Sequence, residues 1–212
     1  MSNLKVECVD HSKFPYIVAD NWYSPEEEKL IWQELDFLSS RKENFRDAED
    51  SDGKIARNKQ TKEAQGKHKR LYPEDVFNKR SYSNILSLNH KQLLPQFYNF
   101  AISSFPQGRH WQTTNKDTTM ISYYENTDYY KAHWDSSITT ILRWFYREPK
   151  KYTGGDLTFT ESGEKIKCKH NRIVKPDAIC IDYEVDPIKM EEEHKNKNLG
   201  RYTLTTFYYY SS

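Results

Sequence analysis

At 212 residues, with 32 basic and 31 acidic side chains and a net charge of +1, the chain has the size of one domain and no global charge excess that would mark nucleic acid or an anionic membrane as its main partner. Three cysteines, Cys8, Cys168 and Cys180, are odd in number and widely spaced, which excludes a disulfide framework and a paired-cysteine zinc site and leaves reduced core thiols. The N-terminus has no basic region followed by an apolar one, and no later run is long enough to cross a bilayer, so the expectation is a cytoplasmic protein with no membrane segment.

In chain order, Phe14-Pro15-Tyr16-Ile17-Val18 reads as a strand. Ser24, Pro25 and Glu27 then form a capping box at the head of an amphipathic stretch carrying Leu30, Ile31, Leu35 and Leu38, which predicts a helix over residues 25 to 40. Residues 41 to 80 are dense in Lys, Arg, Asp, Glu, Asn and Gln, with Gly53 and Gly66 as breakers. They read as a solvated segment or, more sharply, as a lid over a site. Basic residues outnumber acidic ones from Lys54 to Arg70, which would suit an acidic substrate.

Pro95 opens a second helix, from about Leu94 to Phe105, with Phe97, Tyr98, Ala101 and Phe105 at helical spacing. The remainder is rich in strand formers: Thr118 to Tyr124, Tyr129 to Asp135, Ile138 to Tyr146, Leu157 to Thr160, Lys165 to Cys168, Ala178 to Tyr183 and Arg201 to Tyr210. Helices followed by strands predict an α+β domain whose sheets form a sandwich or barrel.

Within this pattern His133-Trp134-Asp135 carries chemistry. A period of two puts the imidazole and the carboxylate on one face of a strand, as a metal would require. With 7 histidines, about half a match to such a triplet is expected by chance, so its surroundings must decide. The order of Phe14-Pro15-Tyr16-Ile17-Val18, Tyr129 to Ser137, Tyr152-Thr153-Gly154-Gly155-Asp156-Leu157-Thr158-Phe159 and Gly200-Arg201-Tyr202-Thr203-Leu204-Thr205 resembles the 2-oxoglutarate- and Fe(II)-dependent oxygenases, in their prolyl-4-hydroxylase-like branch.

That resemblance covers nearly the whole chain apart from the 41 to 80 insert. It implies a single domain over residues 1 to 212, built as a double-stranded β-helix (a jelly-roll, cupin-like barrel) with N-terminal helices on the outside. It implies Fe(II) as cofactor, 2-oxoglutarate as co-substrate, and ascorbate as a possible addition. The reaction would be hydroxylation of an amino-acid side chain, peptide or small molecule, with release of succinate and carbon dioxide; the alternative is a degenerate barrel that binds without turnover. His133 and Asp135 match the first two iron ligands. Arg201 matches the residue that pairs with the distal carboxylate of 2-oxoglutarate, for which a guanidinium fork suits two parallel hydrogen bonds. Thr203, two residues on, adds a donor on the same face, and Tyr124 resembles the tyrosine that assists the co-substrate, with Tyr123 nearly as good a candidate.

The third ligand departs from the family pattern. Where relatives carry a distal histidine, this chain reads Tyr183-Glu184-Val185-Asp186-Pro187-Ile188, and the nearby histidine is His194 in a charged run. If the chain reverses near Glu192, Tyr183 lies opposite Arg201; if it reverses at Lys197-Asn198, His194 does. Tyrosine is a poor ligand until it loses its proton, because its hydroxyl titrates near 10. Both residues remain candidates, as does a site with two protein ligands.

Overall fold

The computed structural model describes residues 6–9, 15–50, 55–176 and 181–211. Helix α1 (Pro25–Ser40) starts where the capping box predicts: the Ser24 hydroxyl accepts from the Glu27 amide, and the Glu27 carboxylate accepts from the Ser24 amide. Its buried stripe, Ile31, Leu35 and Leu38, has helical spacing and joins the core. Helices α2 (Pro73–Val76), α3 (Asn84–Leu88) and α4 (Pro95–Ser104) follow. Buried Glu34 of α1 accepts from the Ser83 hydroxyl and the Ile85 amide, tying α1 to the head of α3. Burial pushes that carboxyl above its usual range.

The strands are β1 (Val6–Val9), β2 (Tyr16–Ala19), β3 (Arg46–Asp47), β4 (Gly66–Lys67), β5 (Lys69–Leu71), β6 (Lys116–Tyr124), β7 (Tyr129–His133), β8 (Thr139–Phe145), β9 (Tyr152–Thr153), β10 (Leu157–Phe159), β11 (Lys165–Ile166), β12 (Arg172–Pro176), β13 (Tyr183–Val185), β14 (Lys189–Met190) and β15 (Arg201–Tyr209). A large antiparallel sheet runs β1-β2-β12-β8-β15-β6-β5-β3, a smaller one runs β11-β10-β13-β7-β4, and β14 pairs with β9.

Alternation along β15 separates two cores. Tyr202, Leu204 and Tyr208 pack with Ile121, Tyr123 and the stripe of α1. On the opposite face, Tyr124, Leu142 and Trp144 pack with Leu157, Phe159 and Val185 of the smaller sheet. The large sheet is therefore buried on both sides, which explains the near-continuous burial of β8 and β15.

Several expectations change. Residues 57 to 63 are exposed, as expected of a solvated segment, but residues 66 to 71 are not a loop: β4 extends the smaller sheet beside β7, and β5 extends the large sheet beside β6. Strand β7 ends at His133, so Asp135 lies just beyond it. The hairpin that would place Tyr183 or His194 opposite Arg201 does not form, because β13 and β15 belong to different sheets; Tyr183 pairs with His133, and Arg201 with Tyr124. Strand β12, central in the large sheet, escaped the sequence reading, since Arg-Ile-Val-Lys-Pro is short, charged and ends in proline. Phe14, Gly53, Lys54 and Ala178 to Cys180 lie outside the described residues. Cys168 is a buried thiol, as expected, whereas Cys8 is exposed. No helix among the described residues is long and apolar enough to cross a membrane.

Candidate functional site

A cavity of about 750 Å³ is lined by both sheets and by the 55 to 72 stretch. The rows of the large sheet explain how side chains reach it. Tyr124 stands opposite Arg201, and in the next cavity-facing row Arg70, Ser122, Thr203 and Trp144 stand side by side across four strands.

At one end, Arg201 is 1% exposed and its three guanidinium nitrogens have no hydrogen-bond partner; the hydroxyl of Thr203, 3% exposed, has none either. The guanidinium carbon sits 5.1 Å from the Tyr124 ring centre and 5.2 Å from that of Trp144. Those ring faces offset part of the cost of burying the charge, and an unpaired buried cation still costs several kcal/mol relative to a paired one. Gly155 makes room for this side chain. It adopts φ +75°, and a Cβ there would come within 2.7 Å of Ile188 and 3.1 Å of the Arg201 Cδ. Chemically, the free guanidinium fork and hydroxyl at this end are donors of the kind a carboxylate accepts.

The other end is partly bonded within the chain. His133 is buried and its Nδ1 lies 2.8 Å from the Lys131 carbonyl. A carbonyl can only accept, so Nδ1 carries the proton and Nε2 keeps its lone pair. Burial holds this imidazole below its ordinary range, hence neutral, the form in which histidine binds metals. The Asp135 carboxylate accepts from the Thr140 hydroxyl at 2.8 Å and from the Tyr183 hydroxyl at 2.5 Å. Burial, and then the negative charge of Asp135, push the Tyr183 phenol well above its ordinary value, so it is a neutral donor. Among the described residues, no three His, Cys, Asp or Glu side chains stand together as a metal site. His133 and Asp135 therefore fit an iron as two protein ligands. Tyr183, beside them with its ring centre 4.7 Å from that of His133, fits as a third only after losing both its proton and its bond to Asp135.

The polar segment supplies what the sequence did not single out. His68 is 4% exposed at the bend between β4 and β5, stacked on Tyr124 at 4.7 Å and close to Tyr130 at 5.1 Å. Burial, followed by the charges of Arg70, His133 and Arg201, lowers it to about 3, so it is neutral. Tyr130 in turn stacks on His133 with ring centres 3.5 Å apart, and its hydroxyl accepts from the Ala56 amide at 3.1 Å. Gly66 permits this packing, since a Cβ would stand 2.8 Å from the Tyr130 ring. The signal in the sequence was His68-Lys69-Arg70-Leu71-Tyr72, an alternating strand hidden by its charge.

Of the residues singled out from the sequence, His133, Asp135, Tyr183, Arg201, Thr203 and Tyr124 all line the cavity. Tyr123 points to the other face, where its hydroxyl donates to Glu125 and accepts from the Gly200 amide. His194 is not among the cavity's lining residues and sits on a short turn with its Nε2 3.2 Å from Glu193.

No protein-family model and no curated protein matches the sequence. Solved structures do match. One is a prolyl hydroxylase from Trichoplax adhaerens in complex with a hypoxia inducible factor oxygen degradation domain peptide fragment, at 14% identity over 92% of this chain and 83% of that one, with a TM-score of 0.60. A prolyl-4-hydroxylase from Pseudomonas putida matches at 11% identity over 96% of both chains, with a TM-score of 0.56. A prolyl 4-hydroxylase from Phytophthora capsici matches at 14% identity over 92% of this chain and 59% of that one, also at 0.56. The antiparallel sheets of this chain thus share the jelly-roll type of fold found in prolyl hydroxylases.

Proposed function

We propose that the chain is a single-domain 2-oxoglutarate- and Fe(II)-dependent dioxygenase on a double-stranded β-helix, with its N-terminal helices outside, hydroxylating an amino-acid side chain, peptide or small molecule. The observation that carries this reading is the buried, unpartnered Arg201 beside the unpartnered hydroxyl of Thr203. A site that keeps a desolvated guanidinium without a counter-ion is built for an anionic ligand, and a carboxylate accepts its fork of donors. The peptide held by the Trichoplax adhaerens structure is in keeping with a peptide substrate.

Arg201 and Thr203 bind the distal carboxylate of 2-oxoglutarate, and Tyr124, over whose ring the guanidinium lies, orients it. His133, through Nε2, and Asp135 hold the iron; Lys131 fixes the imidazole tautomer and Thr140 orients the carboxylate. When bound, the iron would allow dioxygen to act as the oxidant, one oxygen atom passing into succinate as 2-oxoglutarate loses carbon dioxide and the other into the hydroxylated substrate. Tyr130 shields His133 from solvent, and Tyr183 donates a hydrogen bond to Asp135.

The Tyr183–Asp135 hydrogen bond favours a second reading, a barrel that binds a dicarboxylate without turnover. The two separate on one preparation: purified protein with Fe(II), ascorbate and 2-oxoglutarate is exposed to air and succinate is measured, with 2-oxoglutarate binding followed by calorimetry. Succinate above a no-iron control supports the enzyme. Binding without succinate supports the second reading, and no binding removes both.

A further inference from the structure

We propose that His68, carried between the two sheets by the 66 to 71 segment, is a further co-substrate-binding residue, its imidazole donating a hydrogen bond to the carboxylate held by Arg201 and Thr203. This rests on the reading above that the carboxylate is the distal one of 2-oxoglutarate.

Register puts His68 in place. Lys69, Arg70 and Leu71 pair with Tyr123, Ser122 and Ile121, so one residue further along the same register His68 stands opposite Tyr124, which itself stands opposite Arg201. Arg201, Tyr124 and His68 thus form one cross-strand row with the tyrosine in the middle. The Arg201 guanidinium carbon lies 5.1 Å from the Tyr124 ring centre and the imidazole centre lies 4.7 Å from it. The two flanking groups are therefore within about 10 Å of each other, a gap that one carboxylate bridges by accepting an N–H at about 2.9 Å on each side.

His68 is held by packing, and its polar capacity is left over. It is 4% exposed, lines the cavity, and has a buried Nδ1 without a hydrogen-bond partner. The histidines around it in the fold are tied: Nδ1 of His133 to the Lys131 carbonyl, and His170 to the Tyr146 amide and Glu28. What seats His68 is the stack on Tyr124, the tilted contact with Tyr130 and the missing side chain of Gly66, where a Cβ would stand 3.1 Å from Nδ1. A buried polar atom left unpaired weakens the folded chain, and a ligand that pairs it recovers the loss.

Charge accounts for the choice of side chain. Arg201 already matches the single negative charge of a carboxylate, so further donors in so buried a place are best uncharged, as the hydroxyl of Thr203 is. Burial keeps His68 neutral, and a neutral imidazole still offers one N–H. Its backbone is fixed on both sides, since Gly66 and Lys67 pair with Tyr130 and Tyr129 of the smaller sheet while Lys69 to Leu71 pair within the large one. A donor so placed is precise.

The test is anaerobic calorimetry of 2-oxoglutarate on the full chain with Fe(II), comparing wild type, Arg201→Gln, His68→Phe and His68→Asn. Phenylalanine keeps the ring and removes the donor; asparagine removes the ring and keeps a neutral donor. The expected result is binding at least about fivefold weaker in His68→Phe and within about threefold of wild type in His68→Asn, with Fe(II) affinity within about twofold in both. Binding in His68→Phe equal to wild type overturns the inference, as does a loss in His68→Asn as large as that in His68→Phe, because the ring's packing is then what matters. A matching loss of Fe(II) in His68→Phe also overturns it, by making the residue a metal ligand. If His68→Phe does not fold, the wild type labelled with ¹⁵N-histidine decides: with Zn(II) in place of iron, 2-oxoglutarate must shift the imidazole resonances that are missing from the His68→Asn spectrum, and unshifted resonances overturn the inference. Failure of the co-substrate reading looks different, since the wild type then does not bind 2-oxoglutarate or Arg201→Gln binds it equally well.

Discussion

The two ends of the cavity solve opposite problems. Around Arg201 and Thr203, polar atoms are buried and unpartnered, so the folded chain holds free energy in reserve for a ligand. Around His133 and Asp135, the imidazole Nδ1 and one carboxylate oxygen are already bonded within the chain, to Lys131, Thr140 and Tyr183. Binding at the first end relieves a cost, whereas a third protein ligand at the second must first break a hydrogen bond and remove a phenolic proton. On the proposed function, co-substrate recognition and metal loading are therefore separable.

The contrast can be broken most forcefully at Gly155. Gly155→Ala meets both a positive φ and the contacts with Ile188 and Arg201, and should cost about 2 to 4 kcal/mol of stability by urea unfolding. Wild-type stability would show that Arg201 needs no such clearance. Arg201→Gln should weaken 2-oxoglutarate binding by about 1.5 to 3 kcal/mol, the range for hydrogen bonds to a charged group, without altering Fe(II) affinity. Tyr183→His should act only at the other end, tightening Fe(II) binding about tenfold and raising succinate output by supplying a neutral nitrogen donor. His194→Ala, remote from the cavity wall, should leave both affinities within about 0.5 kcal/mol, and a large loss of iron there would reassign the third ligand.

Acid sharpens the same comparison. His68 is held at about 3 against an ordinary value near 6.5, so between those limits the unfolded chain binds a proton that the folded chain refuses. Stability is therefore full above about 6.5 and declines as the pH falls, by at most about 1.4 kcal/mol per pH unit for this one group. His133, lowered in the same direction, adds to the slope. Urea unfolding at several pH values checks it, and His68→Phe, which keeps the ring stack, should flatten the curve.

The sequence was most legible where one physical rule acts alone. Ser24, Pro25 and Glu27 specified the start of α1, and the period of two carried Arg201 and Thr203 to one face of β15. Legibility failed where tertiary context overrode composition. Gly66 to Leu71 reads as solvated because it is charged, yet it forms β4 at the edge of the smaller sheet and β5 between β6 and β3, with His68 at the bend between them and both His68 and Arg70 buried. Arg172 to Pro176 hides a central strand for the same reason. Tyr123 and Tyr124 were indistinguishable until register put one on each side of the sheet, and the partner of Tyr183 depended on a strand pairing between distant segments that no local pattern encodes.

The most direct test is an anaerobic titration of 2-oxoglutarate into the Fe(II)-loaded protein, followed by visible absorption. The account predicts that the charge-transfer band of an iron-bound 2-oxo acid rises saturably in the wild type and is lost or shifted to at least tenfold higher concentration in Arg201→Gln. A wild type that shows no band, or a band whose midpoint is the same in Arg201→Gln, would contradict it.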